Sequence, residues 1–180
     1  MLSALIHKSI PDCTTSCRHI VQLTQMQNGF FHKKLPFIKL SPGATMKTKP
    51  VLTLDDARKM AFAAEKEAVK NGLIVSIAVV DDGGHLLHFL RMDNAAPLSA
   101  HISQAKAKTA ALGGKESKVF EDMINGGRTA FLSAPAIDGM LEGGIPVIVN
   151  GVCIGAVGVS GVKAFEDAQI AKAGVAALTD

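Results

Sequence analysis

The sequence contains no tryptophan and no tyrosine, and only eight phenylalanines among its 180 residues. That scarcity argues against a site built on aromatic stacking of nucleobases, which needs several exposed ring faces. No apolar run approaches the ~20 residues of a membrane-spanning helix. Cysteine is scarce too: Cys13, Cys17 and Cys153 are the only three. An odd count, with one cysteine inside an apolar strand pattern, points to a reducing, cytoplasmic compartment rather than a disulfide framework. Cys13, Cys17 and His19 have the look of half a metal site, but no second ligand pair completes it. Acids are nearly missing from residues 1–45, which hold five Lys/Arg and only Asp12, a net +4; residues 46–180 come to −1. The overall +3 is therefore no argument for a nucleic-acid partner.

What is present is a globular composition, 48% apolar and 19% charged, in a chain long enough for one full core and an appendage. Residues 1–45 lack sustained periodicity and are broken by Pro11, Pro36 and Pro42. They read as an extension, either disordered or, given their Ser/Thr content and few acids, an organelle-targeting segment. Met46 opens a more domain-like sequence, so residues 46–180 are expected to form the domain.

The domain is organised around Gly143–Gly161, where two β-branched runs flank Asn150-Gly151. That dipeptide suits the positive φ angles of a type I′ turn, so the stretch is predicted to be a hairpin. Glycines at 155, 158 and 161 in its second strand mark places where a helix, another backbone or a ligand comes close. Upstream, Thr53 stands three residues before Asp56 as a capping-box variant, and Asn71-Gly72 supplies a helix stop. A buried strand over 73–80, a turn at Asp81-Asp82-Gly83-Gly84 and a return over 85–91 give a first hairpin. Helices follow over about 98–112 and 117–125, Phe131–Leu132 reads as a short strand, and a last helix covers about 164–178. Two hairpins separated by helices predict an α/β (α+β) fold with an antiparallel sheet, not a dinucleotide-binding one.

Candidate chemistry is sparse. His85 and His88 lie three apart on one predicted strand and so face opposite ways, while His101 shares a helix face with Ala105 and Lys108. Each imidazole is a candidate iron ligand or proton carrier. Arg91, Asp93 and Asn94 cluster where a strand leaves the sheet, and the Arg91–Asp93 pair beside Lys106 is a candidate binder of a carboxylate-bearing ligand, with Arg91 supplying a bidentate fork. Lys106 and Thr109 share a helix face, and the backbone N–H groups of Gly158, Ser160 and Gly161 precede a helix that can hold an anion.

The segments Val79-Val80-Asp81-x-Gly83-Gly84-His85-Leu86, Arg91-Met92-Asp93-x-Ala95, Lys106-Ala107-x-Thr109-Ala110, Gly143-Gly144-Ile145-Pro146 and Gly155–Gly161 together resemble the GlcG/HbpS-like heme-binding family, which includes the C-terminal domain of PduO-type proteins. The resemblance spans roughly Leu52–Thr179. It implies a profilin-like α/β/α sandwich with a five-stranded antiparallel sheet and a homo-oligomer. It also implies a small-molecule ligand, with heme or a related tetrapyrrole as the leading cofactor, and matches Asp167 to the acid that follows the Gly-Val-Ser-Gly-like motif. His85, His88 and His101 are then candidate heme-iron ligands, with Arg91 or Lys106 neutralising a propionate. A cofactor-free isomerase or lyase is the alternative. There Arg91 and the N–H groups near Ser160 would hold a small organic acid, and His85 or Asp93 would move a proton.

Overall fold

The computed structural model describes residues 47–178. The extension over 1–45, Met46 and the Cys13/Cys17/His19 group lie outside the described residues. Helix α1 (Leu54–Lys70) starts at the expected cap: the Asp56 N–H donates to Thr53 Oγ1 at 3.1 Å and Thr53 N–H to Asp56 Oδ2 at 2.9 Å. It ends at Asn71, and Gly72 takes φ +66°. Strands β1 (Ser76–Asp81) and β2 (Leu86–Arg91) form the first hairpin. Helices α2 (Pro97–Gly113) and α3 (Ser117–Asn125) follow, with Gly114 closing α2 in a left-handed conformation. Strands β3 (Gly144–Val149) and β4 (Val152–Ser160) then precede helix α4 (Ala164–Ala176). Asn150 and Gly151 take φ +50° and +78°, as the type I′ turn demands.

The four strands run β2-β1-β4-β3, every neighbouring pair antiparallel. Four strands, not five, are found among the described residues. The segment expected as a short strand is instead a 3-10 helix, Thr129–Ser133. Ser133 Oγ donates back to the Ala130 carbonyl, and the Phe131 ring packs on Phe120 of α3 at 5.6 Å between centroids, which ties the segment to a helix rather than to a strand edge.

Alternation along β1 and β4 divides the core into two layers. Ile77, Val79, Val157 and Val159 turn toward α1 and α4, where Ala57, Met60, Ala61, Ala64 and Ile170 complete the larger cluster. Each of the four strand side chains is fully buried, worth about 1.5–3 kcal/mol over exposure. Ala78, Val80 and Ala156 turn the other way, toward Ala107, Ala110 and Ala111 of α2. That second layer is made of small side chains, so α2 lies almost directly on the sheet. A Cβ on Gly158 would stand 2.1 Å from the Ser103 carbonyl oxygen, and one on Gly144 would stand 2.2 Å from that of Lys106. The helix is thus what Gly144 and Gly158 accommodate, whereas Gly155 leaves room for Leu52 and the Val80 carbonyl and Gly161 for the Ile74 carbonyl.

Candidate functional site

Because α2 sits over β4, β3 and β1, part of the sheet beside β2 remains uncovered on that face. A groove of about 500 Å³ opens there, between α2, the first hairpin turn and the loop at Asp138. Its apolar walls are Val80, Leu86, Ile102 and Ala105, and its polar groups are His101, Gln104, Lys108 and Asp138. Spacings of four and three residues place His101, Ala105 and Lys108 on one stripe of α2. Gly84 shapes the floor. It takes φ +77°, and a Cβ there would meet Lys108 Cγ at 2.8 Å, so the lysine stem crosses the turn where only a glycine leaves room.

The three histidines do not converge. His101 lines the groove. His85 lies in the turn rather than in β2, and its Nδ1 stands 3.1 Å from both carboxylate oxygens of Asp81. Partial burial pushes the Asp81 carboxyl up, but the His85 backbone N–H, the His85 ring and the Gly83 N–H together hold it below its ordinary value. His88 pairs with Val79 and faces α1, its ring centroid 6.5 Å from that of Phe62.

The remaining candidate residues are held by the fold itself. Arg91 Nε donates to the Ala95 carbonyl at 3.0 Å, which orders the loop carrying Asp93 and Asn94; Asp93 is exposed. Lys106 does not join Arg91 in a clamp. It is buried, with Nζ 2.7 Å from Asp167 Oδ2 and 3.1 Å from the Val159 carbonyl oxygen. Burial pushes the Asp167 carboxyl above its ordinary value, against the opposing pull of the Lys106 ammonium and the Val162 N–H. A Cβ on Gly143 would lie 2.9 Å from Lys106 Nζ, so the lysine reaches α4 through a gap that glycine leaves.

Thr109 is buried and accepts the Gly139 N–H at 3.2 Å, fastening the loop over α2. Gly158 lies beneath α2. Ser160 is buried opposite Ser76, and a Cβ on Gly161 would meet the Ile74 carbonyl oxygen at 2.6 Å. Arg91 and Ser160 both flank Ser76 at one end of the sheet. His85 is at the other end of β2, about 20 Å away at ~3.3 Å per residue. His85 therefore does not meet Arg91 and Ser160 on one small acid, whereas Asp93 is two residues from Arg91, in the loop that follows it.

Lys108, Gln104 and Asp138 escaped the sequence reading as lining of a groove. For Lys108 a signal was available in its helical spacing from His101. Asp138 had none, since it lies in a loop without periodicity. Among the described residues no cluster of three or more His, Cys, Asp or Glu has the arrangement of a metal site, and no helix is long and apolar enough to cross a membrane.

The family model for haem degrading protein HbpS-like chains matches residues 52–176. The chain belongs to the HbpS-like family. Protein GlcG of Escherichia coli (strain K12) is 57% identical over 115 residues, covering 64% of this chain and 85% of GlcG. Among solved structures, the crystal structure of HbpS superposes with a TM-score of 0.70 at 34% identity, covering 78% of this chain and 99% of HbpS. A PduOC:heme complex superposes with a TM-score of 0.64 at 25% identity, covering 71% of this chain and 95% of PduOC. The HbpS-like match embraces all four strands and both helix layers, so the groove is built on the shared fold.

Proposed function

We propose that this HbpS-like domain binds a small molecule in the groove along α2, and that the molecule is heme or a related tetrapyrrole. The observation that carries the reading is the joint presence of His101, Lys108 and apolar walls in one groove of about 500 Å³. That size falls within the range of small-molecule sites, whose linings are mainly apolar with a few placed polar groups. His101 supplies an imidazole of the kind that holds heme iron, and Lys108 an ammonium for a propionate. Asp138 repels carboxylates and so favours one orientation, with the acidic edge toward Lys108. The family description and the heme complex of PduOC support the same choice. The wider reading keeps residues 46–180 as the domain and a homo-oligomer as its assembly.

Bound heme would supply a redox-active iron; this chain's part is to ligate through His101, anchor through Lys108 and cover the ring with Leu86 and Ile102. The test compares hemin with its dimethyl ester, which lacks the propionate charges. Hemin should bind the full-length protein more tightly than the ester at low salt. Lys108→Met should weaken hemin about tenfold and leave the ester unchanged. Equal binding of both compounds by the wild-type protein would remove Lys108 from the account, and absence of saturable hemin binding would remove heme.

A further inference from the structure

Beside the groove, on the other side of Asp138, lies a second cleft of about 300 Å³ that none of the readings above uses. Its walls are Ile124 of α3, Leu132 of the 3-10 helix, and Met140 and Leu141 of the loop entering β3, with Glu121 and Asp138 also on the lining. Leu132 is 65% exposed and Leu141 46%, so their apolar surface is open to an occupant.

The cleft is fastened on several sides. Gly139 rests on α2, where a Cβ would stand 2.2 Å from the Ala105 carbonyl carbon, and its N–H donates to Thr109 Oγ1. Ser117 Oγ donates to the Leu141 carbonyl and accepts the Gly144 N–H at 2.8 Å. The Glu142 N–H donates to Glu121 Oε2 at 2.6 Å. A cleft held this way need not reorganise to receive a ligand, which lowers the cost of binding.

Its electrostatics are one-sided. Glu121 has one oxygen engaged, whereas Asp138 has no hydrogen-bond or ion-pair partner among the described residues. The nearby Lys118 is committed to Asp122 at 3.0 Å and Glu142 at 3.8 Å. Lys108, which shares the neighbouring groove with Asp138, makes no ion pair with it. A free carboxylate at the edge of an apolar cleft complements a cation carrying an apolar tail.

We propose that this cleft binds a small amphipathic amine, its ammonium on Asp138 and its aliphatic part against Ile124, Leu132, Met140 and Leu141. The cleft shares Asp138 with the groove, but none of its apolar walls lines the groove, so amine binding here does not require the heme reading to hold. Titration of the full-length protein with hexylammonium, followed by amide chemical shifts, tests it directly. The expected result is saturable binding with shifts centred on Ile124, Met140 and Leu141. Hexanoate, with the same chain and the opposite charge, should not saturate. Asp138→Asn, nearly isosteric at an exposed position, should weaken hexylammonium about tenfold. Equal binding of hexanoate, an unchanged Asp138→Asn affinity, shifts centred on His101 and Lys108, or no saturation would each overturn the proposal.

Discussion

At the scale of single residues, the buried Lys106–Asp167 pair shows most clearly how a sequence candidate acquires a structural role. Sequence reading placed Lys106 at a ligand and matched Asp167 to a family acid, but the two stand 61 positions apart and only the fold brings them together. A buried charge stripped of its partner is costly, so Lys106→Met should destabilise the protein by about 3–5 kcal/mol in urea unfolding. The double replacement Lys106→Met/Asp167→Leu should recover most of that loss, because no isolated charge remains. A double variant as unstable as the single one would contradict this.

Asp81 gives a residue-scale prediction in pH. Its carboxyl is depressed in the folded chain, so its contribution is complete above the ordinary aspartate value of 3.8 and is lost as pH falls through the lower, folded value. Asp81→Asn should therefore flatten the stability profile in that acid window. A variant profile parallel to wild type throughout would count against the assignment.

Among the secondary-structure elements, the decisive contact is α2 against the β3–β4 hairpin. With glycine at 144 and 158, the helix backbone lies nearly on the strands, and its outer flank is left to form the groove wall. Gly158→Ala pushes a methyl into the Ser103 carbonyl and the Ala107 N–H, 2.1 and 2.5 Å away. Such overpacking should cost about 1–3 kcal/mol or more, and it should weaken hemin by displacing His101 and Lys108 along with the helix. A stable variant with unaltered binding would show that the helix can shift without cost.

Much of this element-level picture was legible in the sequence. Thr53 and Asp56, Asn71-Gly72 and Asn150-Gly151 each carry their own turn or cap chemistry, and each sits where that chemistry places it. The glycine series correctly announced a close approach. Less was legible between Gly126 and Gly143, where Phe131 and Leu132 looked like a strand because local β-propensity says nothing about the Phe120 ring that claims Phe131. Asp138, which edges both cavities, lies in that same segment, and its position depends on Gly139 seating on α2.

For the domain as a whole, two helices cover one face of the sheet while α2 covers only part of the other, and that unequal coverage creates the groove. The histidines among the described residues are distributed accordingly: His88 faces α1, His85 is tied to Asp81 in the turn, and of these three only His101 lines the groove. The central claim is therefore a specific one, that a tetrapyrrole iron is ligated by His101. The measurement that tests it most directly is the absorption spectrum of the full-length protein titrated with hemin, for wild type and for His85→Ala, His88→Ala and His101→Ala. The account predicts a saturable, stoichiometric Soret shift that survives the first two replacements and is lost in the third. An unchanged spectrum in His101→Ala, or loss in either of the others alone, would contradict it.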